Sequence, residues 1–238
     1  MSLLELRGVC RNRLSGGRRL TVLEDASLSI DPGELVAVWG LRGSGRTTLL
    51  RVAAGVDAPD GGSVWFEGRD LAEHGEEMLG RDIAYCLRSF RTARAQTGVD
   101  EVALGPLLSG ATPAQARARA HGALARVEGE GLAARRIGDL DSGERTRLAL
   151  AYALALQPRL LIIDEPVAGV ELHERDGILS LIRSLADEDV AVLMTVGDLT
   201  GLTGADQALT IGDGELCGGG KRQLAPVADL GMRRQASA

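Results

Sequence analysis

The sequence predicts an α/β fold, and two segments with a matched chemistry carry that expectation. Residues 34–39 (ELVAVW) form a short apolar run after the turn at residues 31–33 (DPG), which reads as a buried strand. A glycine-rich stretch follows at residues 40–48 (GLRGSGRTT), and residues 47–54 (TTLLRVAA) have helical character. Strand, glycine-rich loop and helix in that order gather backbone N–H groups and a helix N-terminus around a phosphate. Residues 159–166 (RLLIIDEP) then read as a second apolar strand that ends in two carboxylates.

The rest of the chain sets bounds on that reading. Its 238 residues suffice for one large α/β domain or a domain with a small inserted lobe, and 45% hydrophobic residues can fill a sizeable core. The longest apolar runs, such as residues 148–156 (LALAYALAL), fall short of the roughly 18 residues of a membrane span. The opening residues MSLLELR carry an acid where a secretion signal would be basic, so a cytosolic chain is expected. Cys10, Cys86 and Cys217 are far apart and lack C-x-x-C spacing, which suits reduced structural thiols. A net charge of -6 offers no global attraction to nucleic acid, and no nucleic-acid partner is expected. Lys221 is the one lysine, so the basic residues are strongly biased to arginine.

Taken in order, the first element to justify is the loop. The spacing G-x-x-x-x-G-K-[ST] is met by Gly40, Gly45 and Thr47, with Arg46 at the lysine position. Alone, this near-match also describes an ordinary glycine turn. At the second strand, Asp164 is placed to hold Mg²⁺ through water and Glu165 to polarise an attacking water. A solvated acidic turn would look the same, but it would not explain the matching loop upstream. Between them, Thr112, Pro113 and Gln115 fit an N-cap, first and third helical positions, a capping box ahead of residues 114–127 (AQARARAHGALARV). A separate helical lobe follows from it.

With segments 83–90 (IAYCLRSF), 97–108 (TGVDEVALGPLL), 140–153 (LDSGERTRLALAYA) and 192–198 (VLMTVGD) in the same order, the chain resembles the nucleotide-binding subunit of ABC transporters from about residue 3 to about 222. Within that family it is most similar to the lipoprotein-release and macrolide-efflux group. The resemblance implies a P-loop NTPase with an ABC-type ATPase core, an N-terminal antiparallel β subdomain and an inserted helical subdomain. Residues 1–87 and 156–222 would form the core and β lobe, 88–155 the helical lobe with the signature segment, and 223–238 a C-terminal tail. It also implies ATP and Mg²⁺ as cofactors. Gly40, Leu41, Arg42, Gly43, Ser44, Gly45, Arg46, Thr47 and Thr48 would surround the nucleotide, Thr47 and Asp164 would hold Mg²⁺, and Glu165 would be the general base. Asp141, Ser142, Gly143 and Glu144 would face the nucleotide of a second subunit. The implied partners are an integral membrane transporter subunit and, as dimer partner, itself or another ABC subunit. The implied location is cytoplasmic, peripheral on the inner face of the cell membrane.

The residues that do chemistry in this family are altered here. Arg46 replaces the loop lysine, and its planar fork cannot place a compact charge between phosphate oxygens; the arginine bias of the chain offers a second origin for that exchange. Arg88 stands for a glutamine that senses Mg²⁺ and the attacking water. Asp141 stands for a serine that donates to the facing γ-phosphate, and a carboxylate only accepts; a one-residue shift would let Ser142 act instead. Gly197 stands for a histidine, and Glu171 for an aspartate that couples the two sites. No aromatic occurs at residues 11–13 to stack on adenine. His74, His121 and His173 do not sit at the missing histidine position. The expectation is a subunit that binds Mg-ATP and hydrolyses it slowly or not at all. The alternatives are an active transporter ATPase that tolerates the changes, and a scaffold that docks on a membrane subunit without nucleotide.

Overall fold

In the computed structural model, which describes residues 2–86 and 95–218, the chain opens with two long strands, β1 (Leu4–Ser15) and β2 (Arg18–Ile30). Next, β3 (Leu35–Gly40) runs through the glycine-rich loop into α1 (Arg46–Ala53), then β4 (Gly61–Phe66), β5 (Arg69–Asp70), α2 (Leu71–Met78) and β6 (Ile83–Cys86). Three helices follow, α3 (Gly98–Leu108), α4 (Pro113–Arg126) and α5 (Ser142–Leu154). The chain returns through β7 (Leu160–Asp164), α6 (Leu172–Asp187), β8 (Ala191–Val196), β9 (Gln207–Gly212) and β10 (Glu215–Cys217). Arg88 and the tail expected at 223–238 lie outside the described residues.

Two sheets organise these elements. The antiparallel sheet has the order β2-β1-β4-β5, and the second sheet the order β10-β9-β3-β8-β7-β6, parallel except for β10. The central parallel strands are apolar on both faces because both are covered. In β3, Leu35 and Ala37 join the core shared with the helices, whereas Val36 and Val38 join the core beneath the antiparallel sheet. This explains why residues 34–39 read as an unbroken apolar run rather than an alternating one. All five residues of β7 and all six of β8 are buried for the same reason.

Helix α1 lies in the core between the two sheets, burying Leu49, Leu50, Val52 and Ala53. The opposite face of the parallel sheet is covered by α5 and α6, with α3 and α4 packed on α5. In α4 the expected capping box forms: Thr112 Oγ1 accepts from Gln115 N–H at 3.3 Å, and Thr112 N–H donates to Gln115 Oε1 at 3.0 Å. Ala116, Ala120, Ala123 and Leu124 recur at helical spacing and form its buried stripe. Helix α3 starts after the N-cap Thr97, whose Oγ1 accepts from Asp100 N–H, and its first residue is glycine because a Cβ at Gly98 would lie 2.3 Å from the carbonyl oxygen of Leu132.

Parallel register aligns the functional strand ends. Trp39 lies beside Val196, and Asp164 beside Thr195. The loop after β3, the carboxylates at the end of β7 and the segment after β8 therefore meet at one edge of the sheet. Open α/β sheets bind ligands outside that edge.

Candidate functional site

The loop between β3 and α1 is shaped by its glycines. A Cβ on Gly40 would lie 2.5 Å from Ser44 Oγ and 2.6 Å from the Ile211 carbonyl oxygen, so only glycine fits against β9. Gly45 has φ 105° and is the N-cap of α1, with no side-chain cap. The first-turn N–H groups of α1 have no intrahelical acceptors, which with the helix dipole makes an anion site. Ser44 Oγ is buried and has no hydrogen-bond partner.

Behind the loop, Asp164 is the hub of a hydroxyl network. Thr47 Oγ1 donates to Asp164 Oδ2 at 2.9 Å and Thr195 Oγ1 donates to Asp164 Oδ1 at 2.7 Å. Thr195 Oγ1 also accepts from Glu165 N–H at 3.1 Å, which fixes a residue held at φ 50°, in the left-handed region that glycine favours. The Tyr85 hydroxyl is pushed up to about 12 by burial and then by the Asp164 carboxylate nearby. The sequence motifs alone give Thr195 no role. A threonine within an otherwise apolar buried strand is the signal that points to it, since a buried hydroxyl needs partners.

Thr47 and Asp164 are hard oxygen donors and fit Mg²⁺. Among the described residues no group of three or more His, Cys, Asp or Glu gathers. A Mg²⁺ at this pair would take its remaining ligands from phosphate and water, as that ion usually does.

Arg46 does not lie over the loop. It reaches across to the ends of β7 and β8, where Nη2 pairs with Glu165 Oε1 at 2.6 Å and Nη1 donates to the Val196 carbonyl oxygen at 2.5 Å. The side chains are only 10% and 14% exposed, so the pair is little screened by water. Gly197 lies beside the pair: a Cβ there would stand 3.9 Å from Glu165 Oε1, an ordinary contact distance. Gly40, Leu41, Arg42, Arg46, Glu165 and Gly197 line a cavity of about 230 Å³.

The remaining predicted residues lie apart from that cavity. Asp141 is the N-cap of α5: its carboxylate accepts from Glu144 N–H at 2.8 Å, and Asp141 N–H donates to Glu144 Oε2 at 3.1 Å. Glu144 also pairs with Arg135, and Gly143 lies against Glu174 of α6. Ser142 is the first residue of α5. Glu171 occupies the N-cap position of α6 without a capping bond and is mostly exposed. Burial pushes the Cys86 thiol up to about 12, in keeping with a structural role. His173 is exposed beside Glu171, and His74 lies 3.9 Å from Glu73.

The two-sheet core that carries this loop and these carboxylates has the fold of an ABC cassette. The family described as ABC transporter matches residues 23–168, and the chain belongs to that family as an ATP-binding domain. It is 34% identical over 219 residues to the lipoprotein-releasing system ATP-binding protein LolD of Chromohalobacter salexigens, covering 90% of this chain and 92% of that protein. It is also 34% identical over 189 residues to the sulfate/thiosulfate import ATP-binding protein CysA of Pseudomonas aeruginosa, covering 78% of this chain and 56% of that one. In fold it is similar to the dimeric post-hydrolysis structure of the cassette MJ0796 bound to ADP and Pi, with a TM-score of 0.80, 23% identity, and 90% and 96% of the two chains covered. No helix among the described residues is long and apolar enough to cross a membrane.

Proposed function

We propose that the chain is the ATP-binding subunit of an ABC transporter complex that holds Mg-ATP and hydrolyses it slowly or not at all. One observation carries the slow step: the Glu165 carboxylate that would polarise water is engaged by Arg46 at 2.6 Å. Phosphoryl transfer depends on positioning and electrostatics, and each tenfold of rate corresponds to about 1.36 kcal/mol. A base held in an ion pair, a glycine where an imidazole would sit and a cation at residue 88 all act against it.

On this reading Gly40 to Thr48 cradle the phosphates, Thr47 and Asp164 hold Mg²⁺, and Glu165 stands as an idle base. Mg²⁺ would neutralise charge on the phosphates when bound. Asp141, Ser142, Gly143 and Glu144 face the nucleotide of a second subunit, which is this chain or another ABC subunit, with Glu171 at the same interface. The subunit lies in the cytoplasm against an integral membrane partner. Similarity to LolD over nine-tenths of the chain favours a lipoprotein-releasing complex over the import complex that CysA's name describes.

Trp39, beside Gly40, reports on the loop, while Trp65 is held away on the antiparallel sheet by a bond to Ser63 and by Arg7 stacked 5.0 Å over its ring. The test is a tryptophan-fluorescence titration with Mg-ATP, followed by a phosphate-release assay on the same protein. Saturable binding with little turnover is the expected pair of results. Brisk turnover that disappears in Glu165→Gln would overturn the reading in favour of an ordinary transporter ATPase.

A further inference from the structure

We infer that Arg46 makes this a site that prefers nucleoside diphosphate to triphosphate, with the Arg46–Glu165 pair opposing the approach of a third phosphate. The inference rests on the nucleotide reading above and adds a ligand preference to it.

The argument starts from where the guanidinium goes. Its two terminal nitrogens are bound on two different strand ends, Glu165 after β7 and the Val196 carbonyl at the end of β8. Both side chains of the ion pair are nearly buried. Arg46 therefore spans the cavity from the loop side, formed by Gly40, Leu41 and Arg42, to the far side, formed by Glu165 and Gly197.

A diphosphate can occupy the loop side through backbone N–H groups and Thr47 while this bridge stays closed. A third phosphate advances toward Glu165. It must either take Arg46 from Glu165, leaving a carboxylate facing a phosphate of like charge, or leave the bridge closed and meet that carboxylate without a cation of its own. Gly197 supplies no side-chain donor to compensate. Arginine suits the bridge because two separate nitrogens of its planar fork reach the two acceptors, whereas a lysine would have to meet both from one compact ammonium.

The experiment is calorimetric titration of the full chain with ADP and with ATP, each with Mg²⁺, in the wild type, Glu165→Gln and Arg46→Lys. Thermal melting is recorded for every protein, and Arg46→Gln serves as a second bridge-breaking variant if one does not fold. The wild type should bind ADP at least tenfold more tightly than ATP, a difference of about 1.4 kcal/mol. Glu165→Gln removes the opposing charge and weakens the bridge, so the ADP:ATP ratio should fall toward unity, chiefly through tighter ATP binding. Arg46→Lys should lower the ratio as well. Equal wild-type affinities, or a ratio unchanged in both variants, would overturn the inference while leaving the nucleotide site standing. Binding of neither nucleotide would remove the underlying reading and this inference together.

Discussion

Thr195→Val deletes one hydroxyl while keeping nearly the same shape in a strand position that is 0% exposed. Two bonds go with it: the 2.7 Å donation to Asp164 Oδ1 and the 3.1 Å acceptance from Glu165 N–H. A hydrogen bond to a charged group contributes about 1.5–3 kcal/mol and a buried polar group deprived of its partner costs about 1–3 kcal/mol. The two losses overlap as the site relaxes, which gives a destabilisation of about 2–4 kcal/mol. For a chain of this size each kcal/mol moves Tm by about 2–4 °C, so the variant should melt roughly 4–16 °C lower. Thr195→Ser is the control, because it keeps the hydroxyl and gives up only a buried methyl, at about 0.5–1.5 kcal/mol. Urea unfolding monitored by circular dichroism reads both. A Val variant within about 0.5 kcal/mol of wild type, the range of an unremarkable surface change, or a Ser variant weaker than Val, would refute the network as described.

Three further outcomes follow from particular contacts. Asp141→Ala removes the cap of α5 and should cost about 1 kcal/mol in urea unfolding, whereas Asp141→Ser keeps a good N-cap and should cost only a few tenths. Gly98→Ala drives a Cβ to 2.3 Å from a backbone carbonyl and should destabilise by about 1–3 kcal/mol, as overpacking does; Gly143→Ala meets only the carboxylate of Glu174 and should be cheaper. Glu101 is buried, its Oε2 lacks a hydrogen-bond partner, and burial raises its pKa above the usual carboxylate range. A raised carboxylate penalises the fold once it ionises, so the penalty grows as pH rises through the ordinary glutamate value to the folded one. Glu101→Gln should therefore raise Tm at pH 8 and show little gain near pH 4, a difference that melting curves across pH would reveal.

Local patterns carried most of what the sequence revealed. The capping box at Thr112 and Gln115 is a spacing of three within one helix turn, and the loop glycines are demands of the backbone itself, so both are legible as letters. The apolar runs at residues 34–39 and 159–166 announced strands covered on two faces, and both proved central in the parallel sheet. Thr195 escaped because its partners, Asp164 and Glu165, lie on a neighbouring strand whose register no local pattern specifies. At Asp141 a D-x-x-E spacing caps α5 through Glu144, the counterpart of the T-x-x-Q box at Thr112 and Gln115 and equally legible as letters.

The departures at Arg46 and Gly197 looked independent in the sequence, separated as they are by the whole of the helical region. In the fold both positions adjoin Glu165. The Glu165 carboxylate is reached from one side by Arg46, and an added Cβ at residue 197 would already stand 3.9 Å from the same oxygen. A histidine there would carry its imidazole near the oxygen that the guanidinium binds, so the two could compete for it. The bridge supplies Glu165 with a cation within a nearly dry cavity wall. The two positions should couple in a double-mutant cycle: Gly197→His should be tolerated better in an Arg46→Lys background than alone, because the shorter, single-headed lysine leaves the carboxylate for the imidazole to meet. A strictly additive cycle, measured by urea unfolding, would mean that positions 46 and 197 do not share the carboxylate between them.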